Sequence, residues 1–134
     1  MFKTILASAI ALGACDVSTY EPNISKDQLT HMYNVGYKCD GTLEECTLKC
    51  IQYSNTYVAL QNYYKAKKQC HDGKLDRLLD DNSLTDSEPT NLGKMCVSSG
   101  LDTCDLVCKR AFENSSKDRI GCMTAVLDER YKLQ

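Results

Sequence analysis

The chain has 134 residues, nine of them cysteine, with no tryptophan and a formal net charge of −2. Sixteen Lys and Arg against eighteen Asp and Glu exclude the basic footprint of a dedicated nucleic-acid binder, and a hydrophobic fraction of 43% excludes a disordered chain. A cysteine content this high is uncommon in the reducing cytosol and ordinary in small secreted proteins.

The N-terminus opens Met1-Phe2-Lys3 and runs uncharged from Thr4 to Ala14. One cation, a short apolar stretch and small residues form the layout of a secretory signal peptide over residues 1–15, with cleavage between 11 and 18. Leu12-Gly13-Ala14-Cys15 also resembles the box at which bacterial lipoproteins are cut and lipidated, which would make Cys15 a lipid anchor. No later stretch reaches the roughly 20 apolar residues of a membrane-spanning helix, so no stable membrane insertion is expected. Asn23-Ile24-Ser25 and Asn114-Ser115-Ser116 fit the N-glycosylation acceptor pattern at Asn23 and Asn114.

Beyond the leader the periodicity is helical. Ser25 with Gln28 resembles a capping box ahead of Leu29, Met32 and Tyr33, and Gly36 is a natural stop. Thr42 with Glu45 is a second capping box. After it Leu43, Cys46, Cys50, Tyr53, Tyr57, Leu60 and Tyr64 recur at alternating three and four, which predicts one buried stripe. Ser54-Asn55-Thr56 is a candidate break in that run, without which Cys50 and Cys70 would stand about 30 Å apart on a single helix. Leu75, Leu78 and Leu79 predict a short helix after Gly73. Residues 80–91 carry four acids and no base and read as a polar linker. Pro89 suits a first turn, with Leu92 and Met95 following and Gly100 ending the helix. Residues 102–113 predict another helix, and Ser115 with Asp118 caps a last one through Ile120, Cys122, Ala125, Val126 and Leu127. No run alternates in the manner of a strand, so the expected fold is all-α.

Setting Cys15 aside, the cysteines form two quartets. Cys39, Cys46, Cys50 and Cys70 read C-x6-C-x3-C-x19-C, and Cys96, Cys104, Cys108 and Cys122 read C-x7-C-x3-C-x13-C. The flanks also match: Lys74-Leu75-Asp76-Arg77 after Cys70 parallels Val126-Leu127-Asp128-Glu129-Arg130 after Cys122. The pattern predicts two similar four-cysteine helical units, residues 16–79 and 92–134, joined by the linker. Zinc favours closely spaced C-x2-C pairs with histidines nearby. There is no C-x2-C, and the histidines are His31 and His71. All eight cysteines are therefore expected in disulfides, with no metal and no cofactor. Each C-x3-C pair shares one helix face and should tie the first and last cysteine of its quartet to that helix. Four cysteines allow three pairings, and spacing does not choose among them.

Catalytic patterns are sparse. Cys70-His71-Asp72 resembles the His-Asp pair of secreted phospholipases A2. That family's paired cysteines and glycine-rich calcium loop find only a faint echo in Tyr37-Lys38-Cys39-Asp40-Gly41, and the alternative is a helix end at Gly73. The C-x3-C pairs are similar to those of insect odorant-binding proteins, whose late C-x8-C is lacking, and to those of helical-hairpin defence peptides, which hold both pairs in one short hairpin. No nucleophile elbow or phosphate-cradling glycine loop occurs. Tyr63-Tyr64-Lys65-Ala66-Lys67-Lys68 mixes aromatics with bases, as a solvated face or as a contact for an anionic surface. The sequence thus points to a secreted, non-enzymatic protein that binds an extracellular protein or receptor through its surface, as venom components, effectors and signals do. The alternative is a carrier holding a small apolar ligand between helices.

Overall fold

The computed structural model describes residues 21–132, all of whose regular structure is helical. The order is α1 (Lys26–Tyr37), α2 (Leu43–Ser54), α3 (Leu60–Asp80), α4 (Pro89–Cys96), α5 (Leu101–Ala111) and α6 (Ser116–Lys132), with single 3-10 turns at Leu84–Asp86 and Val97–Ser99. The expected signal segment, its expected cleavage site and Cys15 lie outside the described residues.

Local chemistry sets several boundaries. Both capping boxes form: Ser25 Oγ accepts from the Gln28 N–H while Gln28 reaches back to the Ser25 N–H, and Thr42 and Glu45 do the same. Pro89 sits in the first turn of α4, where Glu88 accepts from the Thr90 and Asn91 N–H groups. Gly100, at φ +100°, separates the 3-10 turn from α5. Ser115 Oγ accepts from the Asp118 N–H at the start of α6.

Four disulfides join consecutive cysteines: Cys39–Cys46, Cys50–Cys70, Cys96–Cys104 and Cys108–Cys122. Each C-x3-C helix, α2 or α5, is pinned through its first cysteine to the segment before it and through its second to the helix after it. The break between α2 and α3 at residues 55–59 turns the chain back and brings the Cα atoms of Cys50 and Cys70 to 5.6 Å. The expected buried stripe ends within α2: Leu43, Cys46 and Cys50 are buried, while Tyr53, still on α2, is exposed, as are Leu60 and Tyr64 beyond the turn. The turn resets the helical phase, so the count carried across it to Leu60 and Tyr64 has no physical meaning.

Two glycines expected to stop helices let helices touch. α1 does end at Tyr37, one residue past buried Gly36, but α3 runs unbroken through Gly73. A Cβ on Gly36 would sit 1.7 Å from the Cys70 carbonyl oxygen, and one on Gly73 would sit 2.1 Å from that of Tyr33. α1 and α3 therefore meet backbone to backbone, pointing the same way. Ile24 meets Asn62 near their starts, while Tyr33 and Tyr37 donate to Asp76 and Asp80 near their ends, each at 2.6 Å. The bond to Asp76 pushes the Tyr33 phenol up to about 12. α4 and α6 meet in the corresponding way, with Gly93 against the Cys122 carbonyl.

The linker region is more structured than its composition indicates. α3 extends to Asp80, α4 begins at Pro89, and Leu84 is buried between them. One hydrophobic core runs through both halves, including Leu43, Leu75, Leu78, Leu84, Leu92, Met95, Val107, Phe112 and Val126. A smaller cluster of Met32, Cys50, Ala66 and Cys70 closes the α1–α2–α3 side.

Candidate functional site

All eight quartet cysteines are bridged, seven of them with no exposed surface and Cys39 nearly so. A sulfur held this way is no nucleophile. Asn23 and Asn114 are both exposed, Asn23 accepting from the Gln61 amide and Asn114 lying in the turn between α5 and α6. Among the described residues no group of three or more His, Cys, Asp or Glu is arranged to hold a metal ion. No described helix is long and apolar enough to cross a membrane.

His71 does not stand at a helix end. It sits mid-α3, 1% exposed, against the 3-10 turn after α4, with Nδ1 3.1 Å from Ser98 Oγ. Its neighbour Asp72 turns outward to Ser99 and Lys68. The pair therefore joins the two halves and does not open onto a cleft. Burial pushes the imidazole from 6.5 down to about 4, and Lys67 adds repulsion that Asp72 and the Met95 carbonyl only partly offset. The ring is neutral in the fold, so the unfolded chain takes up its proton first as pH falls. The stabilisation is complete above about 6.5 and lost progressively toward 4, amounting to about 3 kcal/mol in all. Melting curves of the oxidised protein should fall across this window, and His71→Phe should flatten that limb; an unchanged slope in the variant would assign the acid sensitivity elsewhere.

Among the described residues, two of the surface grooves are lined as follows. The first, of about 580 Å³, lies between the start of α2, the end of α3 and the segment leading into α4. Arg77 is fully engaged there, bonded to the Tyr37 carbonyl at 2.8 Å, to Asp40 at 3.0 Å and to Asp81 at 2.7 Å. Lys74 is 6% exposed and donates to the Cys39 carbonyl at 2.9 Å, with burial lowering its pKa. Glu44, Asp86 and Glu88 also line this groove. The second, of about 670 Å³, is a shallow surface around Leu106, Lys109, Arg110, Glu113 and Arg119. Both are open and lined with charge, unlike the enclosed apolar cavity a carrier needs.

The tyrosine–lysine run lies on α3, next to the α2–α3 turn. Lys67 is half-buried over the rings of Tyr63 and Tyr64, at 5.7 and 6.0 Å from their centroids, and Lys49 lies 6.0 Å from that of Tyr53 on α2. Val58 and Leu60, each 66% exposed, stand between Tyr53 and Tyr64 in the chain. The turn is braced from outside the hairpin. Glu21 accepts from the Val58 and Ala59 N–H groups and from the amide of buried Asn62, which also donates to the Pro22 carbonyl and accepts from the Ile24 N–H. These bonds hold the Glu21 carboxyl below its ordinary value, the one to Asn62 most of all. Sequence reasoning missed Glu21 and Asn62 because they meet only after about 40 residues of intervening chain have folded. Comparison with protein-family models, with curated proteins and with solved structures gives no match for this chain.

Proposed function

We propose that this is a secreted, non-enzymatic helical protein, locked by disulfides, that acts by binding an extracellular macromolecule through its surface, in the manner of a venom component, effector or signal. Four bridges and the lack of a described membrane-spanning helix are consistent with an extracellular location. The observation that carries the reading is the placement of Tyr53, Val58, Leu60 and Tyr64 on the outside of a cross-linked frame whose core is filled by other side chains. Exposed Asn23 and Asn114 are the proposed glycan acceptors in a eukaryotic source.

We also propose that the frame is two copies of one three-helix unit. The same order of bridges in both halves supports this, as does the packing of Gly36 and Gly93, each three residues before the first cysteine, against the carbonyl of the last.

The test is binding of the labelled, oxidised protein to intact cells, alongside titration with a fluorescent fatty-acid probe. Saturable cell binding that is lost on reduction, with no stoichiometric uptake of the probe, is the expected result. Tight uptake of the probe without cell binding would replace the surface reading with the carrier.

A further inference from the structure

The charge of this chain is unevenly distributed. From Cys46 to His71 there is no Asp or Glu, while Lys49, Lys65, Lys67 and Lys68 all fall there; all eighteen acids and the other twelve bases lie outside. That acid-free stretch is the part of the α2–α3 hairpin on the turn side of Glu45 and Asp72. Its turn presents two aliphatic side chains, Val58 and Leu60, flanked by exposed Tyr53 and Tyr64. Lys49 on α2 and Lys65 and Lys68 on α3 are exposed, Lys68 paired to Asp72 at 2.8 Å. Among the described residues, Glu21 reaches the turn and spends its carboxylate on the backbone N–H groups of Val58 and Ala59 and on Asn62.

We propose that the tip of the α2–α3 hairpin docks this protein reversibly on anionic lipid bilayers, with Val58 and Leu60 entering the headgroup boundary and the lysines of the two helices contacting lipid phosphates. Aliphatic groups at the turn, with exposed tyrosines and lysines further along the two helices, match the layers of a bilayer interface: hydrocarbon, then amphipathic headgroup zone, then anionic surface. A sulfated or phosphorylated polymer has the charge but no use for exposed Val and Leu. Such a polymer also favours the forked guanidinium of Arg, and between Cys46 and His71 the bases are all Lys. The turn is short, braced by Glu21 and stapled to its base by Cys50–Cys70, so the tip is already in its docking shape. Docking of this kind places only side chains in the interface and requires no membrane-spanning helix.

The inference rests on the surface-binding reading and fails separately from it. The oxidised protein is mixed with phosphatidylcholine vesicles with and without about one quarter phosphatidylserine. Because the chain has no tryptophan, Val58→Trp supplies a single reporter. The expected results are co-sedimentation that depends on phosphatidylserine and a blue shift in the emission of the introduced indole. The pair Lys49→Gln and Lys65→Gln should weaken binding by roughly 30-fold, from the loss of two surface cations. The pair Val58→Ser and Leu60→Ser should weaken it by about tenfold or more. Leu127→Ser, at a comparably exposed position on α6, should change nothing. All these positions are exposed, so circular dichroism should match the parent. Equal binding to neutral vesicles, no binding to either, or binding indifferent to Val58 and Leu60 would overturn the proposal. Retention on heparin with dependence on the lysines alone would assign the tip to a polyanion and overturn it too. Cell binding that persists without vesicle binding would leave the surface reading standing and remove the lipid.

Discussion

Full reduction of the four bridges is expected to unfold this protein at room temperature. The bridges close loops of 7, 20, 8 and 14 residues, and chain-entropy estimates give about 2.4, 3.3, 2.5 and 3.0 kcal/mol for them. Together that is about 11 kcal/mol, within the 5–15 kcal/mol range of net stability for a typical domain. The remaining core is thin: it has no tryptophan, and Phe112 is its single buried phenylalanine. Thermal melts followed by far-ultraviolet circular dichroism, with and without a phosphine reductant, test this directly. The reduced protein should show no cooperative transition, and its mass should rise by about eight hydrogens, two per bridge. The loop lengths also rank the bridges. Replacing Cys50 and Cys70 together by Ser should cost more than replacing Cys39 and Cys46 together, since the longer loop constrains the unfolded chain more. A reduced protein that melts near the oxidised one would show that packing alone sustains the fold.

Gly36→Ala should lower the melting temperature by about 10 °C or more, the equivalent of about 3 kcal/mol at this chain length. Its new methyl would stand 1.7 Å from the Cys70 carbonyl oxygen and 2.7 Å from the carbonyl carbon, both backbone atoms of a helix that cannot rotate out of the way. α1 would have to withdraw from α3, stretching the Tyr33–Asp76 and Tyr37–Asp80 bonds. In a free helix the same change would stabilise by about 1 kcal/mol, so the sign itself is diagnostic. Gly121→Ala is the control: the nearest atom to its Cβ is that of Pro89 at 3.8 Å, an ordinary contact inside α6. That variant should be neutral or slightly more stable. Matching effects at the two positions would mean that helix propensity, and not the α1–α3 contact, decides stability here.

These glycines also show where sequence reading stops. Ser25 with Gln28 and Thr42 with Glu45 are legible because a capping box is closed by atoms three residues apart. Pro89 and Gly100 are legible because each carries its own backbone preference. Gly36 does stand at the end of α1, whereas Gly73 lies mid-helix, and the close approach that requires both glycines shows only once the other helix is in place. Spacing leaves the disulfide pairing open for the same reason, although the need to bring Cys50 to Cys70 does locate a break near Ser54. At the candidate docking tip the Tyr63–Lys68 run is visible in the sequence. The role of Val58 and Leu60 is not, because the period that assigns Leu60 to a core ends with α2. The charged groove is invisible in the sequence, being assembled from residues 39–44 and 74–91.

The consecutive order of the bridges has a consequence for how the protein is made. Every one of these cysteines pairs with its neighbour in the series, and no bridge encloses or crosses another. A chain delivered N-terminus first can therefore close the first two bridges before Cys96 exists to compete. Among these eight cysteines, the order of appearance in such vectorial oxidation matches the order of pairing, which favours the native connectivity.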